Sequence, residues 1–139
     1  MNVKSVPMIE MELSKIIIRE TSDHQYIFLR EKGGERTFPI VIGYFEAAEI
    51  NRQIKQMATP RPMTHELLGN TIESMGGRLE KVVVTELKNN TFYAKLIVKR
   101  GSETIEVDAR PSDAIALATR SKVPIFVDES VINSVNNSM

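Results

Sequence analysis

The sequence predicts an α+β fold: a mixed, largely antiparallel sheet of hairpins with helices packed on it. Three observations carry this. Apolar, strand-like segments come in neighbours joined by Gly33-Gly34 or Asn89-Asn90, both signatures of tight hairpins. The hydrophobic period lengthens from two to about 3.6 residues after Gly43, after Thr64 and after Ser112, as it does where a strand gives way to a helix. The order strand, strand, strand, helix also occurs twice. Each of those helices opens with an acid before alanine, Glu46-Ala47 and Asp113-Ala114, so the chain reads as a candidate duplicated β-β-β-α unit.

The elements follow in order. Residues 11–20 mix alternation with Ile16-Ile17-Ile18 and predict a strand. Residues 25–31 predict a second and 36–42 a third; because proline cannot donate to a ladder, Pro39 predicts that the third is an edge strand or is bulged there. Ala47, Ile50, Ile54 and Met57 form a helical stripe that Pro60 and Pro62 stop. Thr64 is the expected N-cap of the next helix, which buries Leu67, Leu68, Ile72 and Met75 and ends at Gly76-Gly77. Strands are expected at 78–88, 91–100 and 104–109, then a helix capped by Ser112 and running to about Arg120, then a short strand at 124–127. Residues 133–139 read as a polar, frayed tail on a single domain that takes in residues 1–139.

Composition bounds the class. The chain has 139 residues, no cysteine and no net charge, and acids and bases balance in each half. Disulfides and thiolate metal sites are excluded, and a reducing compartment is expected. No apolar run is long enough to span a bilayer, and the opening residues lack a signal-peptide core, so a cytoplasmic protein without membrane attachment is expected. The basic excess of a typical nucleic-acid binder is missing. One local candidate is 51–65, where Arg52, Lys55, Arg61 and His65 occur without a single acid; a solvated helix face followed by a loop is the plainer reading. Walker, dinucleotide, HExxH and zinc patterns are absent.

Four segments, "RTFPIVIGYFEAAEI", "PRPMTHELL", "TFYAKLIV" and "DARPSDAIALA", stand in this order with spacings that resemble the bifunctional nuclease domain family. The resemblance covers roughly residues 11–132. The motif that commonly reads T-H-D-L in that family is Thr64-His65-Glu66-Leu67 here, with a carboxylate one methylene longer. The resemblance implies a compact α+β domain, a homo-oligomer (dimer or larger), and cleavage of both DNA and RNA.

Phosphodiester hydrolysis requires a group that neutralises phosphate, a group that activates water and a group that protonates the leaving oxygen. Asp108, Asp113 and His65 are the catalytic candidates, with Arg61 and Arg110 to grip phosphate through a planar fork. Asp108 and Asp113 lead the candidate ligands for Mg²⁺ or Mn²⁺, joined by Glu66 and Glu46. Each has a structural explanation beside the chemical one. Asp113 in a first helical turn complements the helix dipole, as does Glu46. Asp108 and Arg110, two apart on a strand, share a face and could pair. His65 could fix the preceding loop, and its neighbour Glu66 points about 100° away on a helix. Phe92 and Tyr93 offer either a stacking platform or core packing and a subunit contact. The competing reading is a non-catalytic module that recognises a partner or a small anion through Arg61 and Arg110.

Overall fold

The computed structural model describes residues 7–137. Seven strands and four helices succeed one another as β1 (Met8–Ile17), β2 (Gln25–Glu31), β3 (Thr37–Ile42), α1 (Tyr44–Ile54), α2 (Thr64–Ser74), β4 (Arg78–Lys88), β5 (Thr91–Arg100), β6 (Glu103–Ala109), α3 (Pro111–Ser121), β7 (Ile125–Asp128) and α4 (Glu129–Asn137). The strands form one mixed sheet in the order β3-β2-β1-β7-β4-β5-β6. Two antiparallel meanders, β1-β2-β3 and β4-β5-β6, each lead into a helix, so the repeated β-β-β-α order seen in the sequence is present in the topology. The short β7 lies between them, antiparallel to β1 and parallel to β4.

Local chemistry explains the turns. Asn89 and Asn90 both have positive φ, 53° and 62°, the pair of left-handed residues a type I′ hairpin requires, and Asn tolerates that region best among residues with a side chain. Pro39 sits on edge strand β3 opposite Phe28, where its missing N–H costs no ladder bond inside the sheet. The first strand begins three residues before the expected start because Met8–Met11 pair with β7, a partner distant in sequence. It ends earlier because the buried Gln25 amide donates to the carbonyls of Arg19 and Ser22 at 3.0 and 2.7 Å, holding those residues in a loop.

The sheet curls. Phe38 of β3 stacks on Phe92 of β5 with ring centroids 5.8 Å apart. In a flat sheet these strands, five places apart in the order, would be separated by roughly 24 Å. Inside the curl runs α3. Its Ala114, Ile115, Ala116, Leu117 and Ala118 are all buried, against α1, α2, β4 and β5. Ile115 and Leu117 each contribute about 1.5–3 kcal/mol by that burial, and the alanines let neighbouring helices approach. Phe92 is the core member of the Phe92-Tyr93 pair, whereas Tyr93 is exposed, as alternation along a strand dictates.

Four local expectations are corrected. Of the stripe expected to be buried on α2, Leu67, Leu68 and Met75 are exposed and Ile72 alone packs against the core. The N-cap of α2 is Met63, with Thr64 in the first turn; the Glu66 carboxylate accepts the Met63 N–H at 2.9 Å, so the cap comes from the far side of the turn. The N-cap of α3 is Arg110, with Pro111 at the first helical position, where its lost N–H would be unpaired in any case; Ser112 is buried one residue further in. The segment after β7 is a helix, not a frayed tail: α4 buries Val131, Ile132 and Val135. Those apolar residues at positions i, i+1 and i+4 were masked by the polar residues around them; residues 138 and 139 lie outside the described residues.

Candidate functional site

The first turns of three helices contribute to one cluster of charged and polar side chains around Asp113 and Arg110. Strand β6 ends at Ala109, Arg110 turns the chain, and Pro111 starts α3 with Asp113 in its first turn. From α2, the His65 Nε2 lies 2.8 Å from Asp113 Oδ1. From the cap of α3 itself, Arg110 folds back and donates a fork, Nε to Oδ2 at 2.9 Å and Nη2 to Oδ1 at 3.1 Å. Nη2 also reaches Glu46 Oε2 of α1 at 3.5 Å. Because an ionised carboxylate only accepts, His65 must donate through Nε2–H, and in the neutral form of the ring Nδ1 is then the acceptor.

Burial grades the cluster. His65 has 15 % of its side chain exposed, Asp113 28 % and Arg110 64 %. Desolvation alone would raise the Asp113 pKa, but the hydrogen bonds from Arg110 and His65 outweigh it and hold the carboxyl below its ordinary value. The bond to Asp113 raises the pKa of Arg110 in turn.

A cavity of about 460 Å³ opens beside the cluster, lined by the polar Glu46, His65, Asp108, Arg110 and Asp113 and by the apolar Leu68, Leu96 and Val107. The structure thus brings together five of the seven residues singled out from sequence. Asp108 does not pair with Arg110. Arg110 has left the strand to cap α3, whereas Asp108 is exposed opposite Lys95 in the β5–β6 ladder. Arg61 is exposed between two prolines in the α1–α2 loop and does not line the cavity. Glu66 is turned to the Met63 N–H and lies 3.5 Å from Arg52, outside the cavity lining.

The donors do not fit a divalent cation as they stand. Both Asp113 oxygens are taken by His65 and Arg110, and Glu66 serves its own helix. Among the described residues no group of three or more His, Cys, Asp or Glu side chains is placed to hold a metal ion.

Of the candidate basic residues over 51–65, Lys55 and Arg61 are exposed, as a solvated helix face and loop would have them, and Arg52 is not. Arg52 is drawn inward to Glu49, which accepts its fork at 2.7 and 3.1 Å and the Gln53 amide at 2.9 Å. Arg52 Nη1 also donates to the Met57 carbonyl at 2.6 Å. Glu49 is only 8 % exposed; burial would raise its pKa, yet the bonds from Arg52 and Gln53 hold it below the ordinary value. The three-residue spacing of Glu49 and Arg52 was legible in the sequence, but their burial was not.

Comparison with known proteins agrees with the motifs. The family model described as "Bifunctional nuclease domain" matches residues 27–139. An uncharacterized protein of Mycobacterium tuberculosis is 40% identical over 123 residues, 88% of this chain and 73% of that protein. Bifunctional nuclease 1 of Oryza sativa subsp. japonica is 31% identical over 126 residues, 88% of this chain but 38% of the plant protein. Bifunctional nuclease 1 of Arabidopsis thaliana is 28% identical over 110 residues, and the match spans 34% of its length. With its four motif segments folded around one cavity and the family model covering most of its length, the chain belongs to the bifunctional nuclease domain family.

Proposed function

We propose that the chain hydrolyses phosphodiester bonds in DNA and RNA at the cavity beside Asp113. The observation that carries this reading is the linkage of His65, Asp113 and Arg110 at the cavity wall. The names of its plant relatives support it. In this reading Asp113 fixes the tautomer of His65, and Nδ1 takes a proton from water. The resulting hydroxide attacks phosphorus, the ester P–O bond breaks, and the leaving oxygen takes a proton from solvent. Arg110 balances the charge that gathers on the phosphoryl oxygens, as a guanidinium fork does well. Water as nucleophile makes the 2′-hydroxyl unnecessary, which accounts for action on both polymers.

The test is purified chain with single-stranded DNA and RNA, with Mg²⁺, with Mn²⁺, and with chelator. Cleavage of both polymers that persists in chelator is expected, since no step needs a cation caged by the protein. An absolute metal requirement would mean that the carboxylates rearrange to bind one. No cleavage under any condition would leave the binding-module reading, which the internal pairing of Arg110 with Asp113 and Glu46 favours.

Among the described residues no helix is long and apolar enough to cross a membrane. The exposed apolar side chains Phe45, Leu67 and Met75 on and beside α1 and α2 are the surface assigned to self-association in this reading. Sedimentation velocity of the wild type and of Phe45→Ser checks it. A species larger than the monomer that Phe45→Ser weakens is expected, and a monomer in both removes the idea.

A further inference from the structure

The Arg110–Glu46 pair is a wall shared by two cavities. On one side lies the cavity that His65 and Asp113 line. On the other is a second of about 440 Å³, between the end of β3, the β4–β5 hairpin and the start of α3, which Arg110 and Glu46 line as well. Arg110 is mostly exposed and its Nη1 makes no hydrogen bond among the described residues, since Nε and Nη2 serve Asp113 and Glu46. A phosphate accepting from Nη1 would therefore sit on the rim between the cavities. A phosphodiester has two ester arms, and this position directs one to each side.

We propose that the second cavity is a nucleoside subsite, holding the nucleoside on the far side of the phosphate at Arg110; this rests on the phosphodiester reading of the first cavity. Its lining suits a nucleoside. Val41 and Phe92 supply an apolar wall for the face of a base. Asn90, at the left-handed φ of its hairpin turn, lines the cavity and carries an amide with both donor and acceptor character. That amide can meet the edge of any base, in keeping with weak selectivity. Thr91 and Ser112 offer hydroxyls to a sugar. The cavity's size lies within the range of small-ligand pockets, about 300–1,000 Å³. Its acids, Asp23 and Glu46, disfavour a second phosphate, so a dinucleoside monophosphate fills the site and an outer phosphate adds nothing.

Calorimetric or NMR titration with phosphorothioate-linked dithymidine and with thymidine monophosphate tests this. The wild type is expected to bind the dinucleotide about 10-fold or more tightly over the mononucleotide. Val41→Trp, which places an indole in the second cavity from an exposed edge-strand position, is expected to level the two. Asn90→Gly keeps the positive φ and is expected to reduce the preference several-fold; it decides the matter should Val41→Trp fail to fold. Equal affinities in the wild type, no measurable binding of either probe, or a preference untouched in the folded variants would overturn the proposal. Cleavage is read separately. Binding with the dinucleotide preference but without hydrolysis sinks the hydrolytic reading alone. Cleavage of a nucleoside 4-nitrophenyl phosphate without that preference sinks the subsite alone.

Discussion

Replacing His65 by alanine is expected to lower cleavage of DNA and RNA by about 10²–10⁴-fold, the range that a positioned acid–base group supplies. The imidazole is the group at the cavity with an acceptor nitrogen left over after its bond to Asp113. Added imidazole restoring part of the rate would separate a lost base from a lost structure. Asp113→Asn is a positioning variant of the same unit. It removes the charge that holds the Nε2–H tautomer, so the rate is expected to fall and its pH profile to shift. It also leaves Arg110 and the largely buried His65 without their anionic acceptor, a loss of about 1–3 kcal/mol in stability. The sign of the pH effect follows from the depressed pKa of Asp113. Its stabilisation is complete above the unfolded carboxylate value and disappears as pH falls below about 4 through the lower folded value. Denaturant melts of wild type and Asp113→Asn should therefore differ near neutrality and converge in acid. Equal stability at pH 7, with activity intact, would make the cluster ornamental to both fold and chemistry.

Glu49→Ala is expected to be the most destabilising single change among the polar residues. The carboxylate joins Arg52 and Gln53 in a nearly dry pocket, and Arg52 has only 14 % of its side chain exposed. Removing one member of such a pair strands the other charge, at about 3–5 kcal/mol. For a chain of this size that corresponds to a fall of roughly 10–17 °C in melting temperature. Replacing both, Glu49→Leu with Arg52→Leu, is expected to recover most of the loss, because the buried charge disappears with its partner. A loss under about 1 kcal/mol for Glu49→Ala would show that Arg52 swings freely into water.

What the sequence revealed and what it hid divide along one physical line. Strands β2, β4 and β5 were readable to the residue because alternation and hairpin turns are local. The extent of β1 was not, since its first residues are strand only by virtue of pairing with β7. Of the candidates picked by residue type and motif, His65, Arg110, Asp113, Asp108 and Glu46 line one cavity, whereas Arg61 and Glu66 do not. Their pairing differs from the expected one. The Asp108–Arg110 spacing suggested a strand-face pair, but Pro111 makes Arg110 a helix cap and turns its guanidinium to Asp113. The inward turn of Arg52 toward Glu49 also brings it to the Met57 carbonyl and within 3.5 Å of Glu66 on α2, a neighbour that the spacing of Glu49 and Arg52 does not reveal.

The position of β7 sets the order in which this molecule can be assembled. Met8–Met11 close onto Ile125–Asp128, so the middle of the sheet waits for a segment that follows every other strand. Such a distant closure is slow, because the chain entropy must be given up before the contacts form. On the ribosome, the two meanders would emerge with β1 and β4 bare at their facing edges, ready to pair with the wrong strand. A stop codon shortly before Ile125 should accordingly yield aggregated rather than merely weakened protein.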